Sequence, residues 1–523
     1  MCSAKPWYVL LVVFCIAPAP LAFAQKSPAA TEDEVAALRR EVEELKAEIK
    51  KLQGAPAAPP PAAAAPAPVP PSPAAAQQAA ATQAQVDKLQ QQVNTLQTKA
   101  NQPATAGWNG EHFFLRSTDG NFVLMPTGYV TGQYAVYGND YAAPPNTFSI
   151  RAARFGFEGS YGKQLDYVLN IETSSTNTTP GSSGILRDAY MDFKPYSFFR
   201  VMAGQFKVPY SMEVGTADTA LVFANRSIIS VLYPDASGNF RAPGIDAHGD
   251  FDRGVIEYWV GAFNGQGLLA NATTNESEFV ARLRFVPWRN SDFIWLKGLG
   301  FGGSYEHSES KGLAGELSFS GALNDNAYTF FPQYHINGNV ERYNAFLSWL
   351  TGPFGLRAEY THLQQNRDDI GSIAPGGIGF LSQPPVVGEG YYISTEYFLT
   401  GETDPYNAWP RVQHPVIGPG SPGESGAPGW GAWAVKFRYS HLSGSAPGNS
   451  CDATTIPACP ITPVINPSQN DVTDQFTFGF NWYLNYWVVL KTDIDIDRLK
   501  DPSVQGILPR NYVVYLETLQ FRF

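Results

Sequence analysis

The sequence predicts an all-β protein: a transmembrane antiparallel β-barrel of about sixteen strands, preceded by a periplasmic coiled-coil arm and an Ala/Pro-rich linker. Three observations carry this prediction. Apolar and polar residues alternate one by one in many stretches between Trp108 and Phe523. The polar rows of these stretches hold charges of both signs, which a dry core does not tolerate unpaired. After Gln25 no run of about 18 uncharged apolar residues occurs, so no helix is expected to span a bilayer.

The amino terminus comes first. Lys5 precedes an apolar run from Trp7 to Ala22, and Ala22-Phe23-Ala24 forms a small-x-small site before Gln25. This is the plan of an export signal over residues 1–24. Cys15 follows Phe14 rather than a small residue, which argues against a lipid-modified cysteine. An exported chain without a helical span is secreted, periplasmic or an outer-membrane barrel. After cleavage only Cys451 and Cys459 remain, and an oxidising compartment permits a disulfide between them.

Residues 25–53 follow. Val35, Leu38, Val42, Leu45, Ile49 and Leu52 are spaced alternately by three and four, which is a coiled-coil seam. Nothing else in the segment covers that seam, so self-association is expected. Residues 54–81 are almost wholly Ala and Pro and predict a semi-stiff spacer. Val86, Leu89, Val93 and Leu96 repeat the seam, predicting a second short coil over 82–107.

Residues 108–523 are the predicted barrel. Ala281, Leu283 and Phe285 alternate with Arg282 and Arg284; Trp433, Val435, Phe437 and Tyr439 alternate with Lys436 and Arg438. Near the carboxyl end, Val513, Tyr515, Leu519 and Phe521 alternate with Val514, Thr518, Gln520 and Arg522, while Glu517 interrupts the apolar row. Period-two alternation marks strands with unlike faces. Aromatic residues crowd the apolar rows near strand ends, as membrane-interface girdles require. Thr351–Phe354 and Tyr483–Tyr486 are tight connections, whereas 401–429 and 442–471 are long and rich in Pro and Gly. Short turns on one rim and long loops on the other are expected.

With 48 Gly, 41 Pro and 70 aromatic residues but only 16% charged residues, the composition suits turn-rich β structure. The net charge of −11 excludes nucleic acid as a partner. The region 108–523 holds 27 basic and 39 acidic residues, a balance of −12. No local signature of a protease, lipase or zinc site occurs, so neither an enzyme nor a cofactor is expected. Asp493, Asp495 and Asp497 lack the Gly and Glu of a calcium loop and read as a solvated wall. Arg154 and Glu158 share a face and could brace it as an ion pair.

Ser149–Tyr161, Arg187–Lys194 and Arg200–Ser227 resemble the phosphate-selective porin O and P family, above all at Gly204-Gln205-Phe206-Lys207 and Pro209-Tyr210-Ser211. The closing Leu519–Phe523 is also similar. The resemblance implies a sixteen-stranded trimeric outer-membrane barrel for passive diffusion, its lumen narrowed by an inward loop over roughly Lys207–Ser230. It implies an anion path at Arg151, Arg154 and Lys207. Alternation alone adds Arg187, Arg282, Arg284, Arg357 and Arg438 as lumen positions. The expected partners are outer-membrane lipid, two further copies and small ions such as phosphate. The arm offers a second reading, in which it tethers the envelope from the periplasmic side.

Overall fold

The computed structural model describes residues 104–523 except 110–111, 139–144, 175–184, 235–239, 266–276, 316–317, 320–327, 330–333, 373–379, 419–428, 446–469 and 501–510. In the amino-terminal region it describes only residues 87, 88, 90, 91 and 94. Residues 1–104 and 105–523 are separate compact units. In the first, the five described residues are helical and exposed, and Gln90 Nε2 donates to Asn94 Oδ1 one turn on (3.2 Å). The export signal, the first coil, the linker, the seam positions of the second coil, and Cys451 and Cys459 all lie outside the described residues. The second coil was expected to reach residue 107. Instead Thr105–Trp108 forms a strand, β1, paired with β2 (Phe113–Arg116). The helical spacing ends at Leu96, and Gly107 and Trp108 join the aromatic edge of the barrel.

Sixteen strands close the wall: β3 (Phe122–Tyr137), β4 (Thr147–Tyr161), β5 (Leu165–Glu172), β6 (Ile185–Tyr196), β7 (Phe199–Lys207), β8 (Arg241–Phe251), β9 (Ile256–Phe263), β10 (Glu278–Phe285), β11 (Leu299–Gly315), β14 (Tyr334–Thr351), β15 (Phe354–Ser372), β16 (Phe380–Phe398), β17 (Ala432–Ser445), β18 (Asn470–Tyr483), β19 (Val488–Lys500) and β20 (Asn511–Arg522). Each is antiparallel to its neighbours, and β20 pairs with both β19 and β3, leaving no free edge. Two short strands, β12 (Ser318–Phe319) and β13 (Tyr328–Thr329), pair between β11 and β14.

The alternation resolves as expected. On β10, Phe279 and Leu283 are exposed outside while Arg282 and Arg284 are buried inside. On β20, Val513, Leu519 and Phe521 face out, whereas Val514, Leu516 and Gln520 are buried. Two aromatic rows cross the outer face of β14–β18. One holds Tyr343, Tyr360, Tyr391, Tyr439 and Phe476; the other holds Trp349, Phe354, Tyr397, Trp433 and Trp482. Matching residues are six apart, roughly 20 Å along a strand. Rings with one polar edge suit both water–lipid interfaces, so these rows are the two girdles.

One expectation about the rims is corrected. The sequence places the long connection at 401–429 with the long loops of one rim. It joins β16 to β17 on the rim of the tight turns, because Phe354 pairs with Tyr397 and Ala432 pairs with Tyr483. Length and Pro/Gly content misled here: Glu402, Asp404 and Trp409 of this connection are buried inward rather than extended into solvent.

Candidate permeation site

Alternation stops at Lys207, and Pro209 has no amide hydrogen with which to continue the ladder. The chain then turns into the lumen. A four-residue helix, α1 (Met212–Gly215), is capped by Ser211, whose Oγ accepts from Val214 N (3.1 Å). Two 3-10 turns follow, Asp218–Ala220 and Ile228–Leu232. The segment packs on one side of the wall. Ile228, Ile229 and Leu232 are buried against Leu363, Val386, Tyr392 and Leu442. Gly390 makes room, since a Cβ there would stand 2.6 Å from Ile229 Cγ2. Wall side chains satisfy the loop backbone: Lys436 Nζ donates to Val222 O (3.1 Å), Lys491 Nζ to Leu221 O (2.6 Å) and Arg438 Nη1 to Asn225 O (2.9 Å). Asp493 Oδ2 accepts from Ala224 N (2.6 Å).

The Asp493, Asp495 and Asp497 row therefore lies under the loop and is buried, not solvated. Asp493 pairs with Lys436, Asp495 accepts from Thr477 Oγ1 and Asp497 from Gln475 Nε2.

The β16–β17 connection enters from the opposite rim and meets the loop. Trp409 Nε1 donates to Thr219 O (2.5 Å) and Ala217 N donates to Asn407 Oδ1 (2.7 Å). Asp404 holds both Nη atoms of Arg357 (3.0 and 2.6 Å). The Arg284 guanidinium lies 3.8 Å from the Tyr406 ring centre, and that of Arg522 lies 4.1 Å from Trp409.

Between these two segments and the β3–β10 wall lies a cavity of about 540 Å3. Its lining includes Tyr129, Arg154, Asp188, Tyr190, Phe206, Lys207, Asp218, Arg241, Trp259, Arg282 and Tyr406. Asp218 is the node: Arg154 Nη1 (2.7 Å), Lys207 Nζ (2.9 Å) and Arg226 Nη2 (2.6 Å) all reach it. Burial disfavours its charge, but Lys207, Arg154, Arg226 and Arg241 outweigh burial and hold it well below the ordinary carboxylate range. Arg154 also pairs with Glu172 (2.9 Å), not with Glu158, so the expected Arg154–Glu158 brace does not form. The register explains this: Arg154 stands directly opposite Glu172. Arg241 pairs with Asp188 (2.8 Å) and Arg284 with Glu257 (3.0 Å).

Lining side chains alone balance, with Arg154, Lys207, Arg241, Arg282 and Arg522 against Glu158, Asp188, Asp218, Asp246 and Glu257. That count omits the arginines and glutamates that are ion-paired with a lining side chain or interact with Asp218, and the terminal carboxylate. Arg226, Arg284, Arg289, Arg151 and Arg187 add five cations. Glu172 and the carboxyl terminus at Phe523 add two carboxylates. The wider count governs the field around Asp218, because those charges pair with the lining or interact with Asp218 itself. It is ten against seven, a local balance of +3 in a barrel whose balance is −12.

Of the eight predicted residues, Arg154, Lys207 and Arg282 line the cavity. Arg151 and Arg187 fall at register shifts, and both face inward. Arg284, Arg357 and Arg438 face inward but are engaged by Glu257, Asp404 and the loop backbone. Sequence reasoning missed Arg226, Asp218, Arg241, Trp259 and Tyr406. Only Trp259 carried a signal, lying between the outward Tyr258 and Val260.

A closed antiparallel wall, apolar outside between two aromatic rows and charged inside, with a loop folded into its lumen, defines an outer-membrane porin. Residues 127–493 match the family model for the phosphate-selective porin O and P family, and the chain belongs to that family. The protein is thus a Gram-negative outer-membrane channel for passive diffusion. Similar solved structures include in-vitro folded OmpT, an outer membrane protein of Vibrio cholerae, with 8% identity, covering 77% of this chain and 98% of that one, TM-score 0.47. The outer membrane channel DcaP of Acinetobacter baumannii has 9% identity, 78% and 99% coverage, and TM-score 0.46. OprB of Pseudomonas putida has 12% identity, 76% and 94% coverage, and TM-score 0.42. No curated protein matches the chain.

Proposed function

We propose that the passage favours small anions, phosphate among them, and that they cross passively with no bond made or broken. The observation that carries this reading is the +3 balance around Asp218, where one carboxylate is shared by three cations. Arg154, Lys207 and Arg282 line the anion path; Arg151, Arg187 and Arg284 add field behind it; Arg357 and Arg438 hold the two inserted segments in place. The full-length protein in a planar bilayer under a KCl gradient tests this. A reversal potential of the sign set by chloride is expected, and one set by potassium would overturn the reading.

The protein assembles as a homotrimer on the face around β20 and β3. Glu517 supports this: it points outward at mid-strand, opposite Tyr134, where lipid would leave a carboxylate unsolvated. Tyr515 and Thr492 hydroxyls donate to it (2.6 and 2.8 Å), but a protein neighbour suits it better than hydrocarbon. The wall is also low at β5, two strands from β3, which has eight residues, fewer than the nine to eleven that span a bilayer. Chemical cross-linking in detergent is expected to stop at three copies. The coiled-coil arm adds a periplasmic contact with the cell envelope.

A further inference from the structure

We propose that Arg282 forms a subsite for a flat organic carboxylate, an anion that carries an aromatic ring. This rests on the anion-passage reading and names the class of solute it serves.

Arg282 is only 7% exposed and lines the cavity. Among the described residues no carboxylate stands within ion-pair distance of it, whereas Arg154, Lys207, Arg241 and Arg284 are each paired. Its charge acts on Glu359, but the Glu359 oxygens accept from Glu213 N, Asn344 and the Tyr392 hydroxyl. Of its five donors, Nη2 makes one long bond to the Tyr406 hydroxyl (3.4 Å) and Nε has no hydrogen-bond partner. A buried guanidinium with so few acceptors is costly, and an arriving carboxylate relieves it with two parallel bonds.

The fork is also fixed in place. Its carbon lies 4.8 Å from the Trp259 ring centre and 5.0 Å from that of Phe346. Cation–π contact on these rings holds the charge and sets its orientation. The inward loop leaves room: a Cβ on Gly215 would stand 2.9 Å from Nη1.

The surroundings decide the ligand class. Trp259, Tyr406, Phe206 and Met212 line the same cavity. Inorganic phosphate satisfies the fork but gains nothing from aromatic and thioether surface. A ring-bearing carboxylate uses both, and a 540 Å3 cavity accommodates one.

The test is block of chloride current through the full-length protein in planar bilayers. Benzoate is expected to block at a concentration at least tenfold below that of acetate or inorganic phosphate, and benzylammonium is expected not to block. Arg282→Gln should raise the blocking concentration of benzoate at least tenfold, and Arg282→Lys should fall between, having the charge without the fork. Equal block by benzoate and acetate, or benzoate block unchanged in Arg282→Gln, overturns the subsite. Should Arg282→Gln fail to assemble by heat-modified gel mobility, the wild-type ranking decides alone. A potassium-set reversal potential would instead strike the anion passage, leaving the benzoate ranking to judge the subsite.

Discussion

Replacing Asp218 by Asn removes the carboxylate that Arg154, Lys207 and Arg226 share, at 2.7, 2.9 and 2.6 Å. The local balance rises from three net positive charges to four. One unit charge about 8 Å from a permeant ion in water is worth about 0.5 kcal/mol. Three net charges then separate an anion from a cation by about 3 kcal/mol, and screening at 0.1 M salt cuts this to about 1.4 kcal/mol. That corresponds to roughly a tenfold preference for chloride over potassium. The fourth charge raises the difference to about 1.9 kcal/mol, a ratio of roughly twentyfold on the same arithmetic. The loop keeps other anchors, since Lys207 and Arg226 also donate to Thr216 O (2.7 and 3.0 Å). Reversal potentials of wild type and Asp218→Asn, measured side by side in a KCl gradient, give both ratios. A ratio that stays constant or falls in Asp218→Asn would refute the electrostatic argument.

Trp409→Ala loses the bond to Thr219 O and the packing on Tyr483 and Phe398, so the inserted β16–β17 connection loosens and single-channel conductance rises. Lys207→Gln lowers the net balance to two and should cut the chloride preference to roughly fivefold. Asp218 is depressed, so its tether is complete above the unfolded value near pH 4 and is lost only as pH falls through the lower folded value. Gating recorded down to about pH 4 should therefore show no change that Asp218→Asn abolishes. Deleting residues 26–103 should leave conductance unchanged while raising detergent sensitivity of the envelope; an altered conductance would place the arm in the passage.

The wall was legible because its physics is local. Phe279 and Leu283 meet lipid while Arg282 and Arg284 meet the lumen, and two unlike solvents write that difference into every second residue. Arg151 and Arg187 reach the lumen at register shifts, where one residue moves across the wall, and a bulge leaves no fixed mark in sequence. The inward loop was placed only by the resemblance at Gly204–Ser211, since Asp218 and Arg226 lie in irregular backbone without a period. The β16–β17 connection was put on the wrong rim because loop length says nothing about whether a segment packs inward. The acid row at Asp493 was read as wet because its cover, Lys436 and Ala224, comes from distant parts of the chain.

The most direct test places a probe beside the charge cluster. Ala217→Cys in a background carrying Cys451→Ser and Cys459→Ser puts a thiol in the cavity lining next to Asp218. Anionic and cationic methanethiosulfonates of similar size are then compared by the rate at which they reduce current. A positive local field predicts that the anionic reagent reacts several-fold faster, with the gap closing at high salt. Faster reaction by the cationic reagent would contradict the account.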